Sequence, residues 1–196
     1  MAGWLTPGMP AVSKFTGQEA FYLDTNNGQG INPESGAVSP TVLAALTQFY
    51  GNFASKTTVA GSRYFSSVTF GTPMTITGIN VEVGSTGGTD NWLVELHDST
   101  GALVATSNTA GVTAGTAGAW QQIAFTAPVT VAAGTYFIVV QSNGTTAKPA
   151  VYNFPAPASA PWPLLTGSST GTFGTSAAIT PPTTYTANVG PVALVY

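Results

Sequence analysis

The side chains best suited to chemistry lie close together in one stretch that contains Asp90, Glu95, His97 and Asp98. On a β-strand, Glu95 and His97 point to the same face about 7 Å apart. That spacing suits a carboxylate–imidazole pair for general acid–base catalysis. The alternative is a solvated strand face followed by a turn, which Asp98 caps through its side chain. We favour the structural alternative. A serine triad would also need a nucleophile on a strained elbow, and no Gly-x-Ser-x-Gly motif lies in a strand–turn–helix context.

The remaining acids offer two weaker kinds of site. Glycoside hydrolysis requires two carboxyl groups beside the scissile bond. Only Glu82 and Glu95 fall within predicted strands. The simpler interpretation of each is a polar residue on the outer face of its strand. We expect no enzymatic activity.

A calcium ion is the second option, since loop carboxylates and carbonyls are its ordinary ligands. Two turns offer candidates: Asp24 with Asn26 and Asn27, and Asp90 with Asn91. Neither turn has the dense acid spacing of a dedicated calcium loop, so we expect no cofactor and no metal.

Charge is almost absent from half of the chain. Between Ser99 and Tyr196 the only charged side chain is Lys148. Charged residues make up 6% of the sequence, against roughly 25% in an ordinary soluble domain. The four cations are isolated, so no basic patch predicts binding to nucleic acid or to an anionic membrane. The sequence also lacks a stretch of about 18 apolar residues that would predict a membrane-spanning helix.

Three regions differ in their patterning. Residues 1–38 are irregular and predict an extended N-terminal arm. Residues 39–56 predict a short helix and a linker: Ser39 is a plausible N-cap, Pro40 suits the first helical position and Gly51 ends the helix. Residues 57–196 predict a β-sandwich. The fold class is therefore mainly β, an antiparallel sandwich of jelly-roll type preceded by the arm and the helix.

The sandwich prediction rests on runs with a period of two separated by turn signals. The predicted strands are Arg63–Phe70, Thr75–Val83, Asn91–His97, Leu103–Ser107, Gln121–Phe125, Val129–Val131, Thr135–Gln141, Pro149–Asn153 and a last strand that runs through Tyr185–Tyr196. Residues from about 154 to 182 are rich in Pro, Gly, Ser and Thr, and predict a long loop or extended excursion.

Exposed aromatic side chains are the usual platforms for sugars. Trp120, Tyr152 and Trp162 are the candidates for a glycan platform, whereas Trp92 is predicted to lie in the core. This observation keeps a carbohydrate-binding module or adhesin as an alternative function.

Two groups of motifs resemble phage proteins. Phe15-Thr-Gly-Gln-Glu-Ala-Phe-Tyr-Leu-Asp-Thr, with Asn32-Pro-Glu-Ser-Gly-Ala-Val-Ser and the short helix, resembles the opening of tailed-bacteriophage structural proteins. The runs that begin at Thr89 and Phe125 resemble jelly-roll modules of virion surface proteins and extracellular adhesins. The resemblance implies a virion component, such as a capsid decoration (cement) protein or a head fibre, and supplies no catalytic residue.

The resemblance also implies partners and a location. The major capsid protein or other virion proteins would bind the arm and helix, and the protein would form a homo-oligomer, with a trimer favoured. It would reach the particle surface after synthesis in the host cytoplasm, because the N-terminus shows no pattern of a secretory signal. The expected assembly contacts are apolar residues of the arm and helix: Trp4, Phe15, Phe21, Tyr22, Leu43, Leu46 and Phe49.

Overall fold

The structure is a computed structural model that describes residues 53–154 and 164–196. These residues belong to one compact unit, Phe53–Tyr196. Within them the chain forms eleven β-strands and no α-helix. The strands are β1 (Phe53–Ser55), β2 (Arg63–Phe70), β3 (Met74–Thr86), β4 (Asn91–His97), β5 (Leu103–Thr106), β6 (Val112–Thr113), β7 (Trp120–Val131), β8 (Gly134–Ser142), β9 (Lys148–Tyr152), β10 (Thr166–Ser169) and β11 (Ala193–Val195).

The strands form two antiparallel sheets. The first sheet has the order β1-β9-β3-β11, and β7 also pairs with β3. The second sheet has the order β10-β2-β8-β4-β5, and β6 also pairs with β4. The mainly-β prediction is thereby confirmed as a sandwich-like arrangement of two antiparallel sheets.

The main core lies between the two sheets. Alternate residues of β3 (Ile79, Val81 and Val83) and of β4 (Trp92 among them) are buried in one apolar cluster. A fully buried aliphatic or aromatic side chain contributes about 1.5–3 kcal/mol. The period of two seen in the sequence therefore has its expected cause, one face of each strand packed against the opposite sheet. Trp92 is fully buried, which confirms its predicted place in the core.

The second sheet is covered on its other face as well. Phe65 of β2 and Val139 of β8 pack there against Ile179, with Leu165 beside them. Strand β4 is consequently buried at nearly every position, including the polar residues Glu95 and His97. A chain segment far along the sequence thus adds a third layer over this part of the sandwich.

The strand predictions were most accurate where the alternation is regular. Strands β2 and β4 begin and end where the sequence predicts them. The two strands predicted at Gln121–Phe125 and Val129–Val131 form the single strand β7. Its pairing with β3 is interrupted between Ile76 and Gly78, where the register shifts. Pro128 lies at this interruption, as expected for a residue that cannot donate to a regular ladder.

The C-terminal region differs from the prediction in two ways. The excursion predicted over about 154–182 contains strand β10, which pairs with β2. The last strand covers only Ala193–Val195, whereas the prediction had it run through Tyr185–Tyr196. Strand β1 lies within the span that was predicted as a linker. These segments are too short, or too poor in apolar residues, to show a period of two.

Several predictions concern residues outside the described ranges. These are the arm over 1–38, the helix over 39–51, the seven assembly-contact residues from Trp4 to Phe49, and the glycan candidate Trp162. The division of the chain into arm, helix with linker, and sandwich stays a prediction.

Candidate functional site

Glu95 and His97 form a direct pair on the second sheet. Glu95 Oε2 lies 3.0 Å from His97 Nε2, which confirms that the two side chains share one face of β4. Both side chains are 0% exposed, so the predicted solvated strand face is wrong. The prediction failed because the segment that buries this face lies more than 70 residues further along the chain.

Neighbouring strands extend the pair into a buried polar cluster of Arg63, Glu95, His97 and Gln141. The register places Arg63 of β2 directly opposite Gln141 of β8. Arg63 is 4% exposed, and its Nε lies 3.9 Å from Glu95 Oε2. The guanidinium and the carboxylate are therefore taken out of water together, which leaves the cation with an opposite charge nearby.

Residues 171–181 cover this cluster, and we call them the C-terminal strap. Gly, Ser, Thr and Ala supply most of this segment, so apolar burial alone holds it weakly. Polar side chains of the sheet bind its backbone instead. Arg63 donates to the carbonyls of Ala177 (2.7 Å) and Thr175, and Gln141 donates to Thr172 O (3.1 Å) and accepts from Gly174 N (3.1 Å). The cluster thus fixes the strap to the sheet.

The hydrogen bonds of His97 define its orientation. Its Nδ1 lies 3.0 Å from Gly101 O, and a carbonyl oxygen only accepts, so Nδ1 carries a proton. The other ring nitrogen faces Glu95. This arrangement resembles an oriented catalytic base, but a general base must reach a proton of the substrate. Under the strap neither side chain reaches solvent, and the cluster is suited to holding the fold together.

Asp98 caps the turn that follows β4, as the sequence predicts. Its Oδ1 accepts hydrogen bonds from Thr100 Oγ1 (2.6 Å), Thr100 N (2.8 Å) and Ala102 N (3.0 Å). These bonds, that from the Thr100 side chain first, lower the pKa of Asp98 below the ordinary 3.8. The hydrogen bonds of the turn therefore stabilise the ionised form of Asp98 over the protonated form.

Asp98 gives the turn a defined pH dependence. Because its folded pKa is lowered, the carboxylate stabilises the turn above the ordinary Asp pKa and loses this effect as pH falls through the folded value. We expect the amide NMR shifts of Thr100 and Ala102 to titrate together with a midpoint below 3.8. Asp98→Asn should abolish that transition. A midpoint at or above the ordinary value would show that the cap does not form.

The calcium candidate at Asp90 is used within the fold. Asp90 Oδ2 accepts hydrogen bonds from Thr146 N (2.6 Å) and Ala147 N (2.7 Å). Asn91 donates to Ala110 O (3.0 Å) through its side-chain amide. Among the described residues no group of three or more His, Cys, Asp or Glu side chains is arranged to hold a metal ion. The other calcium candidate, around Asp24, lies outside the described ranges.

The outer face of the first sheet carries exposed aromatic and apolar side chains. Trp120 is 41% exposed and lies opposite Glu82 in the β3–β7 ladder. Asn80 lies opposite Gln122 on one side and Leu194 on the other. Because directly paired residues share a face, these five side chains form one surface, which we call the Trp120 face.

Tyr152 is placed differently from Trp120. It is 7% exposed, and its ring packs edge-on against Phe53 with the centroids 5.7 Å apart. Burial first, and the charge of Glu82 second, raise the pKa of Tyr152 to about 12. Burial also raises the pKa of Glu82. Of the two glycan candidates within the described ranges, Trp120 is the one whose ring is open to a ligand.

Sequence reasoning missed Arg63 and Gln141 as members of the buried polar cluster. Each stands alone in its strand, and only the pairing of β2, β8 and β4 brings them beside Glu95. It also treated Glu82 only as the polar outside of its strand. Glu82 lies two residues after Asn80 in the same strand, and this spacing predicts that both side chains lie on one face of the sheet.

Comparisons with protein-family models, with curated proteins and with solved structures found no match to this chain. Within residues 53–154 and 164–196 there is no helix with the length and apolar character needed to cross a membrane. The function must therefore be inferred from the geometry of the described unit and from the sequence.

Proposed function

We propose that this protein is a non-enzymatic structural component of a tailed-phage particle, a capsid decoration (cement) or head-fibre protein. The N-terminal arm attaches it to the major capsid protein or another virion protein. The sandwich, of jelly-roll topology, is displayed on the particle surface. The observation that supports this best is the use of the polar groups best suited to chemistry: Arg63, Glu95 and His97 are sealed inside the fold, where they bind backbone and each other.

The surface of the described unit fits a protein that works among neighbours. With Lys148 as the only charged side chain from Ser99 onward, little charge repulsion keeps copies apart. Outside the Trp120 face, several other large apolar side chains are exposed: Val59, Met74, Leu103, Val112 and Tyr196. In a closed assembly, neighbouring subunits cover such residues. This pattern supports a homo-oligomer, and we favour a trimer.

The proposal predicts that the arm carries the attachment. Deleting residues 1–38 should abolish binding to particles that lack the protein while leaving the sandwich folded, because the described unit begins at Phe53. Binding is measured by co-sedimentation of the purified chain with particles in a density gradient. The intact chain is the positive control, and near-ultraviolet circular dichroism checks the fold of the deletion variant. A deletion variant that still sediments with particles would refute the arm as the anchor.

A further inference from the structure

We infer that the Trp120 face binds a neutral saccharide. The site consists of side chains from three adjacent strands: Trp120 and Gln122 of β7, Asn80 and Glu82 of β3, and Leu194 of β11. This function goes beyond the proposed structural role and does not depend on it.

The first argument is the combination of an open ring with polar groups beside it. Trp120 is 41% exposed, although tryptophan is largely buried in most folds. Its register partner is the acid Glu82. A sugar presents an apolar C–H face and a rim of hydroxyl groups, so an aromatic ring flanked by hydrogen-bonding side chains matches both parts. Small-molecule sites commonly combine apolar surface with a few polar groups in this way.

The second argument is that two acceptor oxygens on this face lack hydrogen-bond donors. Asn80 Oδ1 and Glu82 Oε2 are both buried and have no hydrogen-bond donor. A buried acceptor without a donor costs about 1–3 kcal/mol, and such groups in folded proteins call for an explanation. The hydroxyl groups of a saccharide are donors that would satisfy them.

The third argument concerns the charge of the ligand. Glu82 is the acid of the face, and a carboxylate repels uronic and sialic acids. A neutral saccharide meets no such repulsion. Strands in a sheet lie about 4.8 Å apart, so the three strands offer a platform about 10 Å wide, which is enough for a disaccharide unit.

The test begins with the full-length chain on an array of neutral and anionic oligosaccharides. We expect binding to neutral members and none to anionic ones. The affinity for the best neutral oligosaccharide is then measured by isothermal titration calorimetry, a readout that does not depend on Trp120. Trp120→Ala should weaken the affinity about tenfold or more, because exposed aromatic anchors dominate the energetics of binding sites. Leu103→Ala is the matched control, since Leu103 is 39% exposed and belongs to the second sheet.

Two further variants guard against loss of folding in Trp120→Ala. Gln122→Ala changes a polar side chain of the same face and should weaken binding, whereas Glu82→Gln keeps an acceptor and should admit anionic saccharides. The unfolding midpoint of each variant is measured beside its affinity. The proposal is overturned if no neutral oligosaccharide on the array binds, or if Trp120→Ala and Gln122→Ala bind as tightly as Leu103→Ala.

Discussion

Replacing Glu95 with alanine is expected to lower the free energy of unfolding by about 3–5 kcal/mol, the cost typical of breaking a buried ion pair by removing one partner. Arg63 would keep its charge at 4% exposure without the carboxylate 3.9 Å from its Nε. His97 would lose the partner of its Nε2. Urea unfolding of the full-length chain, followed by tryptophan fluorescence, measures the change.

Two variants separate this effect from ordinary loss of a side chain. Glu95→Gln keeps an acceptor beside His97 and should cost less than Glu95→Ala. Glu82→Ala removes the same side chain from β3, where burial disfavours the charged form, and should cost little or stabilise the fold at neutral pH. Equal losses in Glu95→Ala and Glu82→Ala would contradict the role assigned to the buried cluster.

Gly101→Ala is expected to be the most damaging single glycine substitution at the strap. Gly101 has φ of +86°, and an added Cβ would lie 2.0 Å from the carbonyl oxygen of Ile179. The left-handed backbone costs an L-residue about 1–2 kcal/mol, and relief of the clash costs about 1–3 kcal/mol more. Because Gly101 O accepts from both His97 and Ile179, movement of this turn would also loosen the strap.

Gly118→Ala provides the matched control for Gly101→Ala. Gly118 also has a positive φ, +72°, but nothing lies within 4 Å of an added Cβ. It should therefore show only the backbone cost of about 1–2 kcal/mol. Limited proteolysis of the two variants adds a local measurement: Gly101→Ala should expose residues 171–181 to cleavage and Gly118→Ala should not. Equal stability and equal proteolysis would show that the strap does not depend on this contact.

The fold could be predicted from the sequence wherever local alternation decides the structure. Strand β4 was predicted to its exact ends because Trp92, Val94 and Leu96 occupy alternate positions between two turn signals. The pairing of Glu95 with His97 followed from the same alternation. Their burial could not be predicted, because it depends on Arg63, on Gln141 and on a strap with almost no apolar signal of its own.

The candidate binding face shows the same limit. Exposure of Trp120 was among the sequence-based expectations, but its neighbours were not. Glu82 and Leu194 reach the same surface only through pairing of β3 with β7 and β11, and a strand sequence does not identify its neighbours. Strand β10, made of Thr, Gly and Ser, was missed because it carries no apolar alternation.

The most direct test of the proposed particle role is quantitative mass spectrometry of tailed-phage particles purified on a density gradient from lysates of the host that makes this chain. We predict that the protein bands with the particles at a fixed ratio to the major capsid protein, and that the ratio persists through a second gradient. Recovery of the protein only in the particle-free fractions would contradict a structural role in the virion.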